Sequence, residues 1–148
     1  MNINPYVFYQ GRAEEAIEFY KAKLGAKQTM LMRFKDGPPP SEDQQCGPDG
    51  GPAPKIDPEK IMHAEITIGE STVLISDGRC DQPTKFEGFS LALYAKDDDE
   101  AKKLFDAISS EGGTPFMPLT QTFFATSFGM TQDKFGVTWM VLCLAKMG

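Results

Sequence analysis

One histidine, three cysteines and no long apolar run are all that this 148-residue sequence offers where many functions would need more. A bilayer-spanning helix takes roughly 18 or more apolar residues in a row, and no such stretch is present, so no membrane role is expected. The cysteines, Cys46, Cys80 and Cys143, are odd in number and widely spaced. That argues against a disulfide framework and for a reducing compartment. Cys143 sits in an apolar run and reads as a buried small hydrophobe, Cys46 as a loop residue. No CxxC pair or Cys/His cluster occurs, so a structural zinc site is not expected. Basic residues are short as well: 15 Lys and Arg against 21 Asp and Glu leave a net charge of −6. Such a surface repels nucleic acid and anionic membranes. The opening Met1-Asn2-Ile3-Asn4-Pro5-Tyr6 lacks the basic segment and apolar run of a signal peptide. A soluble, cytoplasmic protein is therefore expected.

What is present suits one domain with a real core: 41% hydrophobic and 24% charged residues. Residues 3–10 read as a strand rich in aromatic and β-branched side chains. Ala13, Ala16, Ile17, Tyr20 and Leu24 then recur at helical spacing, with Glu14, Glu15, Glu18, Lys21 and Lys23 on the other face. Gly25 is a natural stop. Further strands are predicted at 27–35, 61–68, 72–76, 89–95, 115–122, 124–131 and 137–144. Asp97 and Glu100 form a capping box for a second helix, whose buried stripe is Ala101, Leu104, Phe105 and Ile108. Residues 36–59 hold seven of the eleven prolines and no apolar period. A loop of that length is either a lid over a site or a floppy insertion.

The order is β-α-β-β-β twice, and the halves echo each other 85 residues apart. Tyr9 falls on Tyr94, Glu15 on Glu100, Ala16 on Ala101 and Ala22 on Ala107. Four identities in register on one strand-helix unit favour internal duplication. The expected class is α+β, with module one at about 1–80 and module two at about 86–148, their mixed sheets curled into a cup.

Several strings sharpen this into a family resemblance. Asn4-Pro5-Tyr6, Glu14-Glu15-Ala16, Phe19-Tyr20, Ile61-Met62-His63-Ala64, Phe116-Met117-Pro118-Leu119 and Phe128-Gly129-Met130 are among them. Asp133-Lys134-Phe135-Gly136-Val137-Thr138-Trp139 is the most specific. Together they resemble the PhnB-like branch of the vicinal oxygen chelate superfamily, which includes glyoxalases, bleomycin-resistance proteins and dioxygenases. The resemblance implies a divalent metal held by two ligands from each half. Those positions fall here near Pro5, at Ile75 or Ser76, near Ser90 and at Met140. None offers an imidazole or carboxylate, so no metal and no cofactor are expected. Members of the branch are often labelled methyltransferases. The sequence has no glycine-rich turn between strand and helix to hold a nucleotide cofactor, so that label is rejected.

Candidate site residues follow from alternation. His63 and Glu65 stand two apart on a strand and point to one face, which makes them the catalytic candidates, His63 as general base or hydrogen-bond donor. Tyr9 and Tyr94 lie in phase with positions 5 and 90 and are expected to line the cup. Ser76, Ser90, Phe124, Phe128 and Trp139 complete the expected ligand-binding set. Asp77 reads as a strand-end turn residue, and Asp97-Asp98-Asp99 as a helix cap rather than a calcium site. The function expected is binding of a small organic molecule in an aromatic-lined cup without metal. The alternatives are a lyase or dioxygenase-type enzyme using His63 or an unrecognised metal site, and a non-catalytic dimeric regulatory domain. A homodimer is expected, because the resemblance implies one and because Met30-Leu31-Met32 and Trp139-Met140-Val141-Leu142 look like apolar edges in need of cover.

Overall fold

Strand β1 (Tyr6–Phe8) shows in three residues how the first sheet is built: Val7 is buried and its two neighbours are exposed. The computed structural model describes residues 1–37, 57–78 and 85–145. The chain divides into two compact units, Met1–Thr84 and Lys85–Gly148. No helix among the described residues is long and apolar enough to cross a membrane.

In the first unit β1 leads to α1 (Ala13–Leu24), β2 (Lys27–Arg33), a single 3-10 turn at Phe34–Asp36, β3 (Ile61–Ile68) and β4 (Ser71–Ser76). The predicted stripe buries Ala13, Ala16, Ile17 and Tyr20, and Phe19 joins it. Gly25 ends the helix at φ +67, where only a residue without Cβ is free of strain. The sheet order is β1-β4-β3-β2, with β1 parallel to β4 and the other pairs antiparallel. Val7, Ala64, Ile66, Val73 and Ile75 form its buried, helix-side face. Arg12, at the head of α1, provides no side-chain cap. Asp77 does the work from a distance. Its carboxylate accepts the Ala13 N–H at 2.7 Å and the Ile61 N–H at 2.7 Å, tying the end of β4 to the starts of α1 and β3.

Most of the 36–59 segment, and with it the expected lid and Cys46, lies outside the described residues. Its two described ends are clasped together. Phe34 N–H donates to Lys60 O, Lys35 N–H to Pro58 O, and the Arg33 guanidinium to Glu59 O at 2.6 Å. Arg33 also grips Glu14 of α1 with two nitrogens, at 2.8 and 3.2 Å.

The second unit repeats the plan: β5 (Leu91–Tyr94), α2 (Asp98–Ile108), β6 (Thr114–Thr120), β7 (Ala125–Gln132) and β8 (Thr138–Leu144), in the order β5-β8-β7-β6. Asp97 caps α2 by accepting the Glu100 N–H at 2.7 Å, and Glu100 reaches back to the Lys96 N–H rather than to Asp97. Asp98 accepts from the Thr126 and Ser127 hydroxyls of β7 at 2.6 Å each. Gly129 lets α2 approach the sheet: a Cβ there would stand 2.9 Å from the Phe105 ring. The fold is thus α+β, with two α-helices and two four-stranded mixed sheets among the described residues.

Two expectations are corrected. Trp139–Leu142 is no edge, since β8 lies inside its sheet and pairs with β5 and β7. Met30-Leu31-Met32 does lie on the edge strand β2. The second correction concerns phase. β5 starts at 91 where β1 starts at 6, and α2 at 98 where α1 starts at 13, so the 85-residue offset holds for backbone elements. The faces do not follow it. Val7 and Tyr9 turn toward the helix, whereas Leu91 and Leu93 do so in β5, paired with Trp139 and Val141. Three residues, 10–12, link the buried Tyr9 to α1, but only two, 96–97, link the equivalent Ala95 to α2. The extra residue is taken up by a turn in which Gln10 (φ +49) and Gly11 (φ +101) are both left-handed. A one-residue slip turns every side chain of a strand to its other face.

Candidate functional site

Each sheet carries its helix on one face and leaves the other open. On the open face of the first sheet, alternation gathers Tyr6 and Phe8 of β1, His63 and Glu65 of β3, and Ser76 of β4. By register Leu74, Met30 and Met32 share that face. Tyr6 and Phe8 stack with ring centroids 4.9 Å apart at 20°. The Tyr6 hydroxyl lies 2.8 Å from His63 Nδ1, and His63 Nε2 lies 3.3 Å from Glu65 Oε1. Both ring nitrogens of the single histidine are therefore engaged, and three side chains from two strands form one hydrogen-bonded line. A carboxylate only accepts, so Nε2 carries a proton toward Glu65, and in the tautomer with that single ring proton Nδ1 receives the Tyr6 O–H.

Partial burial raises the Tyr6 phenol pKa, and a hydrogen bond with the Ser76 hydroxyl works against that rise. Ser76 is itself buried, accepting the Gly78 N–H at 2.9 Å. Beside Phe8, the side chain of Gln10 packs against Gly78, with its Oε1 buried and without a partner among the described residues.

The second sheet's open face is apolar in its middle rows, with Gln132 and Thr138 paired at one end. Tyr94, Leu142 and Phe128 are side-by-side partners across β5, β8 and β7, followed by Ala92, Met140 and Met130. Phe124 packs edge-on against Phe128 at 5.4 Å. Next to Tyr94, a cleft of about 520 Å³ opens between Thr126, Cys143, Leu144 and the Ala95–Asp98 segment.

Six of the nine expected site residues thus fall into two groups. His63, Glu65 and Ser76 meet on the first open face, and Tyr94, Phe124 and Phe128 on the second. Tyr9 and Trp139 are in neither. Tyr9 is buried against α1, its hydroxyl 2.8 Å from that of Tyr20, because of the one-residue slip. Trp139 is buried on the helix side, its Nε1–H donating to Asp133 at 2.9 Å. Ser90 stands half-buried just before β5. Sequence reasoning missed Tyr6 and Phe8. The signal was available, since Tyr6 and Phe8 alternate with Val7 as His63 and Glu65 alternate with Ala64.

The most specific string of the sequence, 133–139, proves to be a turn that holds itself. Asp133 Oδ1 accepts the N–H groups of Phe135 and Val137, its Oδ2 accepts Trp139, and Gly136 sits at φ +95. The superfamily's metal positions hold no suitable donors. Ile75 faces the helix side, Met140 and Ser76 the open sides, and Pro5 precedes β1. Among the described residues no three His, Cys, Asp or Glu side chains gather. This donor set does not fit a divalent ion at those positions.

Residues 1–142 match the family model described as 3-demethylubiquinone-9 3-methyltransferase. Protein YjdN of Escherichia coli is 32% identical over 143 residues, which cover 95% of this chain and 94% of that protein. The crystal structure of protein PA1353 from Pseudomonas aeruginosa is similar at 35% identity and TM-score 0.77, covering 97% of each chain. A Bacillus cereus structure described as a putative 3-demethylubiquinone-9 3-methyltransferase, PhnB protein, shares the fold at 22% identity and TM-score 0.74, covering 97% of this chain and 99% of that one. So does a glyoxylase/bleomycin resistance protein/dioxygenase domain from Frankia, at 10% identity and TM-score 0.61, covering 97% and 95%. The family-model match and the YjdN likeness show that the chain belongs to the family of that description, and its doubled βαβββ plan is the fold it shares with the PhnB protein and with glyoxalase/bleomycin resistance/dioxygenase domains.

Proposed function

We propose that the protein binds a small organic molecule on the open face of the first unit's sheet, through aromatic contact and hydrogen bonds rather than a divalent metal. The Tyr6–His63–Glu65 line beside the stacked Phe8 is the observation that carries this reading. Apolar surface with a few convergent polar groups is the usual make-up of a small-molecule site. A polar chain of this kind on an exposed sheet face adds little stability on its own. Methyl transfer, named in the family's description, would need a methyl-donor site. The strand-to-helix links, Gln10-Gly11-Arg12 and Lys96-Asp97, have none of the glycine-rich turn that holds a nucleotide cofactor, so this reading departs from that name.

The test is a thermal-shift screen of small aromatic compounds against the wild type, Phe8→Ala and His63→Ala. A ligand at about 100 times its Kd adds about 2.7 kcal/mol, a Tm rise of roughly 5–10 °C for a chain of this size. The expected hit loses most of that rise in both variants. Rises untouched by either substitution, or a stoichiometric transition metal in protein purified without a histidine tag, would overturn the reading.

A further inference from the structure

We propose that Tyr6, His63 and Glu65 form a proton relay that ionises a bound phenol. The ligand hydroxyl gives its proton to the Tyr6 oxygen while the Tyr6 proton moves to His63 Nδ1. The proposal rests on the binding reading above and deepens it. The hydrogen-bond directions set the relay. In the tautomer protonated at Nε2, Glu65 accepts from Nε2–H and Nδ1 accepts from Tyr6, and the Tyr6 oxygen, which also bonds the Ser76 hydroxyl, keeps one lone pair for an incoming donor. In the transfer one O–H bond breaks on the ligand and one forms on Tyr6. The old Tyr6 O–H bond breaks, and an N–H bond forms at Nδ1. The electron pair stays on the ligand oxygen as phenolate, and His63 becomes an imidazolium between two anions. The summed charge of ligand and relay does not change.

The chemistry of the face selects the ligand. Phe8, stacked on the Tyr6 ring, and Leu74, Met30 and Met32, which share the face by register, offer apolar side chains, which suit an aryl ring. An aliphatic alcohol holds its proton too tightly for an imidazole to receive it. A carboxylic acid arrives already ionised and meets the Glu65 charge. A phenol lies between the two, with a proton affinity within reach of histidine's. By register the other charged side chain on this face, among the described residues, is Lys27, opposite Thr67 and two open-face positions from His63.

The sign of the spectral change makes the test decisive. Transfer of a phenol to an apolar surface alone disfavours its charged form and reduces ionisation. The relay increases it. The probe is para-nitrophenol, whose phenolate absorbs in the visible, titrated with the full chain at a pH below the probe's own pKa. A neighbouring opposite charge lowers such a pKa by roughly one unit or more, so the phenolate fraction should rise about tenfold on binding. Tyr6→Phe keeps the ring surface and should bind the probe with no rise in phenolate, and Glu65→Gln should lose most of the rise. Binding with an unchanged or reduced phenolate signal in the wild type overturns the relay and leaves the binding reading intact. So does an equal rise in Tyr6→Phe. If the probe does not bind while other organics raise Tm through Phe8, the phenol assignment alone is overturned.

Discussion

Asp77 and Asp133 are both buried carboxylates held by donors from elsewhere in their own unit, and the sequence marked Asp77 only as a turn residue and Asp133 as part of a family-like string. From sequence, neither a remote helix start nor an indole N–H can be assigned to an aspartate, because the partners lie far along the chain or depend on the turn's geometry. Asp77→Ala should be costly. It removes two hydrogen bonds to a charged group, at about 1.5–3 kcal/mol each, and leaves the Ala13 and Ile61 N–H groups without acceptors. A loss of about 4 kcal/mol corresponds to a Tm drop of roughly 10 °C. Thermal unfolding checks it, and a drop of a degree or two would mean that water replaces the carboxylate. His63 and Glu65 were readable because strand alternation is local. Tyr6 was not chosen because the two halves were aligned as if their first strands shared a phase.

The elements themselves were the most legible level, since a 3.6-residue stripe and a two-residue alternation are properties of short windows. α1 begins at the first residue of its apolar stripe and α2 directly after the predicted cap Asp97, and the predicted strands 61–68 and 72–76 are joined by a tight turn with Gly69 at φ +60. What sequence could not supply was how an element meets its neighbour. The extra residue at Gln10–Arg12 and the closeness of α2 to β7 are examples. Gly129→Ala tests the second. The added methyl would meet Phe105, the Met117 carbonyl at 3.0 Å and Leu119 at 3.1 Å. Overpacking of that kind costs about 1–3 kcal/mol, read as a lower denaturation midpoint with an unchanged slope. A second contact between the same two elements depends on pH. Hydrogen bonds from Ser127, then Thr126, hold the Asp98 pKa below the usual aspartate value, against a smaller rise from desolvation. A depressed native pKa stabilises the fold above the unfolded value and loses that effect as pH falls through the native one. The Tm gap between wild type and Asp98→Ala should therefore be full at neutral pH and close below about pH 4. A gap that is constant with pH would assign the effect to packing.

At the scale of the whole molecule, the family was readable because strings such as 133–139 are local structural devices, a turn bonded within itself. Assembly is a different matter, because it depends on which apolar groups remain uncovered after folding. We propose the homodimer from the exposed side chains of the second unit. Phe123 is 97% exposed, and Phe116, Met117, Phe124 and Leu144 are exposed as well. Phe123 and Phe124 pack edge to face at the turn into β7, and Phe116 and Met117 lie on the edge strand β6. Pro115 and Pro118 in that strand lack the N–H groups that continuous edge-to-edge pairing would need, so a partner would cover side chains there rather than extend the sheet. A concentration of large apolar groups on one unit is a feature of association surfaces. Light scattering coupled to size exclusion should then give twice the chain mass at micromolar concentration. Phe123→Ser with Phe124→Ser should shift that mass toward the monomer without lowering the helical signal in circular dichroism. A wild-type monomer over the whole accessible concentration range, or a dimer indifferent to both substitutions, would place these phenylalanines outside any subunit contact.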